Sequence, residues 1–197
     1  MELPDGYHAV PAGKLANIQT YLEMREKPAL RPAPHDPSWR FERLATPDLT
    51  RYRALFHCVG DEYLWAGRLL MAEDELSRFL ADPRVETYVL VTAGGDEGLL
   101  DLDFRADREC EISLFGVAPS LLGTGAGRWL MNHAIDVAWS HPIERFWLHT
   151  CTLDHPSALG FYQRSGFRPY ARKVEVYDDP RYLGLTRADA AARVPIL

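Results

Sequence analysis

Apolar residues recur along this chain with two different periods, and the switches between them divide it into elements. After a brief strand expected at residues 7–10, Leu15, Ile18, Tyr21 and Leu22 mark one helical face and predict a helix over residues 14–24. Pro28, Pro32, Pro34 and Pro37 then exclude regular structure and predict an extended connector. Trp39 and Phe41 alternate with charged residues, as in a strand. Leu49, Tyr52, Leu55, Phe56 and Val59 predict a helix capped by Thr46 or Asp48, and Leu76, Phe79 and Leu80 a second one that begins near residues 72–74 and stops at Asp82-Pro83. Strands follow at residues 85–92, 99–105 and 109–117, with turns at residues 94–96 and near Asp107-Arg108. Alternation sets Leu100, Leu102 and Phe104 on one face of the second, and Asp101, Asp103 and Arg105 on a face that reads as solvated or as the border of an amine-binding cleft. In the third it groups Glu111, Ser113 and Phe115.

Beyond residue 117 the period returns to 3.6. Trp129, Leu130, Met131, Ala134, Ile135, Val137 and Ala138 predict a helix that Ser140-His141-Pro142 terminates. Residues 146–151 form a further strand. A helix capped by Asp154, with Ala158, Phe161 and Tyr162 inward, ends at Gly166, and residues 167–177 return as the last strand.

Composition narrows the function classes. The 197 residues suit one domain with at most an appended segment. Twenty-two basic against 28 acidic residues give a net charge of −6, which argues against nucleic acid as a general partner and mildly favours a cationic one. Cys58, Cys110 and Cys151 leave at least one thiol unpaired and show no zinc spacing, so no metal is expected. No apolar run reaches the roughly 18 residues of a membrane span, and the first residues lack a basic start before an apolar stretch. A cytoplasmic protein without a membrane partner, monomeric or homodimeric, is the expectation.

The candidate chemistry centres on Gly123-Thr124-Gly125-Ala126-Gly127-Arg128, between a strand and a helix. Alternate glycines allow a tight turn, and the first helical turn offers unpaired N–H groups and the positive dipole end, which suits a phosphate. A dinucleotide fingerprint fails in both registers, because Arg128 and Leu130 stand where it needs Gly or Ala; a P-loop fails for want of its lysine. A nucleotide-dependent transferase is therefore disfavoured.

With Val117 and Pro119 ahead of it, the segment resembles the coenzyme-A loop of the GNAT N-acetyltransferases, V-x-P-x-x-Q/R-G-x-G-x-G, with Leu122 in place of the family's Gln or Arg. A second block from Asp154 to Phe167 is similar to the family pattern N-x-x-A-x-x-x-Y-x-x-x-G-F, with Asp154 replacing Asn. The resemblance covers residues 39–177 and implies an α/β (α+β) fold, a mixed sheet of six to seven strands flanked by helices. It divides the chain into an N-terminal extension, 1–38, and a GNAT domain, 39–197. It also implies acetyl-CoA as cosubstrate, held by Phe115, Gly116, Val117, residues 122–128, Asp154, Ala158 and Tyr162. Tyr162 falls on the tyrosine that protonates the coenzyme thiolate, and Glu111 on the base of the histone-acetylating members; Asp101, Asp103 and His149 are reserves. Gly116 is expected to let the pantetheine arm approach the strand. The acceptor is a small-molecule or peptide amine, and the segments 1–45, 57–72 and 95–110, with Trp39, Tyr63 and Trp65, are the places to look for its site. The alternative is a non-catalytic acyl-CoA-binding module.

Overall fold

The computed structural model describes residues 4–34, 36–45 and 48–197. Strand β3 (Val85–Thr92) is buried along its whole length, which requires apolar cover on both faces of the sheet. Its neighbours are β2 (Arg40–Arg43) and β4 (Gly95–Asp103), and β4 in turn pairs with β5 (Glu109–Val117), all antiparallel. Beyond β5 come β6 (Arg145–Cys151), β1 (Lys14–Met24) and β7 (Arg168–Asp178), giving the order β2-β3-β4-β5-β6-β1-β7. Among the described residues only β5 and β6 run parallel, as a connection through helix α3 (Ala126–Ala138) demands. α3 and α4 (Ala158–Arg164) cover one face, where Leu90, Leu100, Leu102, Ile112 and Leu148 meet Leu130, Met131, Ala134 and Tyr162. α1 (Leu49–Gly60) and α2 (Glu73–Ala81) cover the other, with Tyr52, Phe56 and Leu76 against Val89, Leu99 and Leu114.

Residues 14–24 are a strand, not the helix that the 3.6-residue spacing suggests. Leu15, Asn17 and Gln19 are buried in alternation, and Leu22 and Met24 reach the opposite core. The segment is hydrogen-bonded on both edges, to β6 and β7, and these two ladders outweigh its weak helical preference. Residues 7–10 form no strand. Asp48 caps α1 by accepting from the Arg51 N–H at 2.9 Å; Thr46, the other expected cap, lies outside the described residues.

The decisive irregularity lies in β5. Asp101 pairs with Leu114 but Leu102 pairs with Ile112, so Ser113 is an extra residue, a β-bulge. One inserted residue exchanges the faces of everything beyond it. Glu111 therefore faces the α1/α2 side with Asp103, whereas Phe115 pairs with Leu100 and meets Phe161 and Tyr162 on the other side. Simple alternation, which groups Glu111, Ser113 and Phe115, misses this. The ladder between β5 and β6 also stops at Ile112–Leu148, immediately before the bulge. The two parallel strands then separate, leaving the β5 edge from Ser113 to Val117 open toward β6.

Candidate active site

Two clefts meet at that separation. One, of about 360 Å³, runs from the glycine loop along the open edge of β5, lined by Phe115–Val117, Leu121–Gly123, Gly125, Gly127, Arg128, Ala158 and Phe161. The other, of about 430 Å³, lies on the α1/α2 face and is lined by Glu111, Ser113, Arg68, Asp103, Asn17, Gln19, His149 and Glu175. Tyr63, Trp65, Phe115, Asp154 and Tyr162 line both. Tyr162 thus stands at the passage from one face of the sheet to the other.

The glycine loop presents its donors alternately. Gly123 and Gly125 have φ of 78° and 92°, the left-handed region that glycine enters without strain. The N–H of Thr124 donates to Leu121 O and that of Ala126 to Thr124 Oγ1, so both are engaged locally, and neither residue lines the cleft. Among the described residues the N–H groups of Gly123, Gly125, Gly127 and Arg128 make no such bond. These four, at the N-terminus of a 13-residue helix, form an anion cradle of main-chain donors. The space beside the Cα of Gly123 and of Gly127 is open. The Arg128 guanidinium donates to Ser165 Oγ at 2.8 Å and lies 4.7 Å from the Phe161 ring centre. Burial depresses its pKa, and the like charges of Arg31 and Arg164 add to this.

In the second cleft Glu111 makes no side-chain hydrogen bond or ion pair among the described residues, and its pKa is pushed up to about 7, chiefly by burial and then by the facing Asp103. Arg68 and Arg105 oppose that shift. Asp103 is gripped by the Arg105 guanidinium at 2.6–3.0 Å. Asp101 is fully buried, accepting from the Tyr52 hydroxyl at 2.6 Å and the Thr87 hydroxyl at 2.7 Å. It is a foundation beneath Arg68 (3.6 Å), whose Nη2 donates to Ser113 Oγ at 3.0 Å, and not a cleft residue. The face of Asp101 and Asp103 is accordingly buried and not solvated. Tyr162 is buried except where it meets the clefts, makes no side-chain hydrogen bond among the described residues, and has its phenol pKa raised by burial and by Asp154.

Similarity to known proteins agrees with this arrangement. The model of the Acetyltransferase (GNAT) family matches residues 98–167, from β4 through the glycine loop to the end of α4. Residues 98–167 therefore match a GNAT acetyltransferase domain. Streptothricin acetyltransferase of Streptomyces lavendulae is 37% identical over 89 residues, covering 44% of this chain and 46% of that protein, so less than half the length of this relative is matched. A GCN5-related N-acetyltransferase from Sphaerobacter thermophilus superposes with a TM-score of 0.61 at 16% identity, over 88% of this chain and 53% of that one. An aminoglycoside acetyltransferase from an uncultured soil metagenomic sample gives 0.55 at 18% identity, over 66% and 88%. At those identities the two structures establish the GNAT fold alone.

Two of the expected site residues, Asp154 and Gly116, also have structural parts to play. Asp154 does not cap α4, which starts at Ala158 after Pro156; it accepts from Thr150 Oγ1 (2.6 Å), Cys151 N (2.8 Å) and Trp65 Nε1 (2.9 Å) and fastens the β6–α4 turn to the residue 61–68 loop. Gly116 gives room to the protein itself: a Cβ there would come within 2.9 Å of Val59 and 3.2 Å of Trp65. His149, a reserve for the base, is exposed into the second cleft. Trp39, by contrast, packs on Trp129, away from both clefts. Sequence reasoning missed Arg68, Gln19 and Glu175, the last two because their facing positions exist only once residues 14–24 are a strand.

Proposed function

We propose that the chain is an N-acetyltransferase that transfers the acetyl group of acetyl-CoA to a primary amine by direct attack, with both molecules bound. The observation that carries this reading is that a cleft with a main-chain anion cradle and a cleft with an unpaired carboxylate open onto the same tyrosine. Gly123, Gly125, Gly127 and Arg128 would hold the pyrophosphate, with Leu122 at the rim. The open edge of β5 offers its main-chain groups to the amides of the pantetheine arm, as an added strand would be received. A β5 N–H also serves as donor to the thioester oxygen. Acetyl-CoA supplies an activated acyl group; everything else falls to the chain's own residues.

An alkyl amine with a pKa of about 10.4 is about one part in a thousand neutral at pH 7, so its proton must be removed. Glu111, partly ionised near neutrality, accepts it at the carboxylate. Tyr162 donates its phenolic proton to the departing sulfur. Glu111 and Glu175 give the acceptor cleft carboxylates suited to a cationic amine, beside Arg68 and the Arg105–Asp103 pair. Streptothricin and aminoglycosides, the compounds in the names of two similar proteins, are the first acceptors to try.

The test is thiol release from acetyl-CoA in the presence of streptothricin, kanamycin, spermidine and a lysyl peptide. Acceptor-dependent release is expected with at least one. If coenzyme A binds but none releases thiol above hydrolysis, the non-catalytic reading replaces this one.

A further inference from the structure

β1 and β7 flank the sheet beyond β6, outside the residues matched by the family, yet they supply a wall of the acceptor cleft. Glu175 on β7 accepts from Asn17 Nδ2 at 2.9 Å and from Gln19 Nε2 at 2.5 Å, both on β1. A carboxylate only accepts, so the NH₂ end of Gln19 must face Glu175 and its oxygen must face the other way. That oxygen lies 2.6 Å from His149 Nδ1. An amide oxygen also only accepts, so Nδ1 must carry a proton and the neutral imidazole must have its lone pair on Nε2. Two interactions thus set a tautomer.

Position gives this tautomer a use. Trp147 pairs with Glu111 across β5 and β6, so His149, two residues on, shares the face of Glu111 and follows the point where the strands part. It is exposed into the same cleft. We infer that the Glu175–Gln19–His149 chain presents His149 Nε2 as a second proton acceptor for the attacking amine, with Glu111 the first. This rests on the acetyltransferase reading of the same cleft.

The protons balance. An ammonium acceptor has three: one stays in the amide and two leave the nitrogen as the N–C bond forms and the C–S bond breaks. Glu111 takes the first and His149 Nε2 the second. Tyr162 gives one proton to sulfur and is reprotonated, so one proton in total reaches solvent. The groups that face the imidazole are compatible with a neutral ring: Gln19, the Tyr21 ring (5.4 Å between centres), Glu175, Lys173 and Asp154. Partial desolvation of the ring between the cleft walls, and then Lys173, depress its pKa, while Asp154 and Glu175 act against them, and the ring still keeps its access to the cleft.

The experiment has two readouts. Long-range ¹H–¹⁵N correlation spectra of the unliganded protein at pH 8 should show His149 protonated at Nδ1, with the tautomers mixed in Gln19→Leu, where Asn17 still holds Glu175. Steady-state kinetics with whichever of the four amines is active should show kcat reduced about 10²-fold or more in His149→Gln, with the KM for acetyl-CoA unchanged. Gln19→Leu should give a smaller loss and an altered pH profile. An Nε2-protonated ring in the wild type, or His149→Gln with wild-type kcat and pH profile, overturns the inference. Absence of acceptor-dependent turnover in the wild type is the different result that removes the acetyltransferase reading itself.

Discussion

Glu111 is held against its ionisation. Its folded pKa, near 7, lies above that of an exposed carboxylate, so the native state favours the protonated form relative to the unfolded chain. Stability attached to this group is present at low pH and is lost as pH rises from the unfolded value, about 4.3, through 7. Glu111→Gln should therefore be more stable than the wild type at pH 8, by on the order of 1–3 kcal/mol, and should lose that advantage below about pH 5; thermal unfolding across pH checks this. The same variant should lose activity, and wild-type kcat/KM should rise with pH through about 7 as the base form appears. Tyr162→Phe removes only a hydroxyl. It should lower kcat about 10²-fold or more while acetyl-CoA affinity holds, and unchanged turnover would remove Tyr162 as the acid.

At the scale of elements, Gly116 and Gly127, which line the same cleft, differ in what surrounds them. A methyl at Gly116 meets Val59 and Trp65, between α1 and β5, so Gly116→Ala should destabilise by about 1–3 kcal/mol. Gly127 is in the first turn of α3 with open space beside it. Gly127→Ala should keep or slightly raise the melting temperature, alanine being the better helix former by about 0.5–1 kcal/mol, yet weaken coenzyme-A binding by filling the cradle. Calorimetry of both variants with and without coenzyme A distinguishes the two roles.

The loop itself was legible in the sequence, because alternate glycines between a strand and a helix carry their own conformational reason. So were Tyr162 and Glu111 as candidates, through motif position and strand placement. What alternation could not show was the bulge at Ser113: one extra residue leaves no mark in the hydrophobic pattern, and it decides that Glu111 and Phe115 face opposite sides. Residues 14–24 misled for a different reason. Leu15, Ile18 and Leu22 satisfy helical spacing, whereas the polar Asn17 and Gln19 are buried only because Glu175, far along the chain, accepts their amide protons.

Across the whole molecule, the segment after β7 packs behind the residues that line the second cleft. After β7, Arg181 is 2% exposed at its side chain and holds the equally buried Asp179 at 2.6 Å, while its Nη1 donates to Ala190 O and Val194 O. The segment so anchored packs Ala190 and Ala191 against Leu15 and Leu64, and Arg193 donates to Glu62 O at 2.7 Å. Leu64, at φ 56°, is thereby enclosed next to Trp65, whose ring lines both clefts. Arg181→Ala leaves a buried carboxylate without its partner and should cost about 3–5 kcal/mol, measured by denaturant unfolding. Loosening of the loop should also raise the KM for the acceptor more than that for acetyl-CoA. Equal effects on both would show that the tail acts on stability alone.

One claim underlies the rest: the donor and acceptor sites lie on opposite faces of the sheet and meet where β5 and β6 part. A crystal structure with coenzyme A bound tests it most directly. The account predicts the pyrophosphate on the N–H groups of Gly123, Gly125, Gly127 and Arg128, the pantetheine arm along the open edge of β5, and the sulfur beside the Tyr162 hydroxyl. A pyrophosphate seated elsewhere, or a sulfur remote from Tyr162, would contradict it.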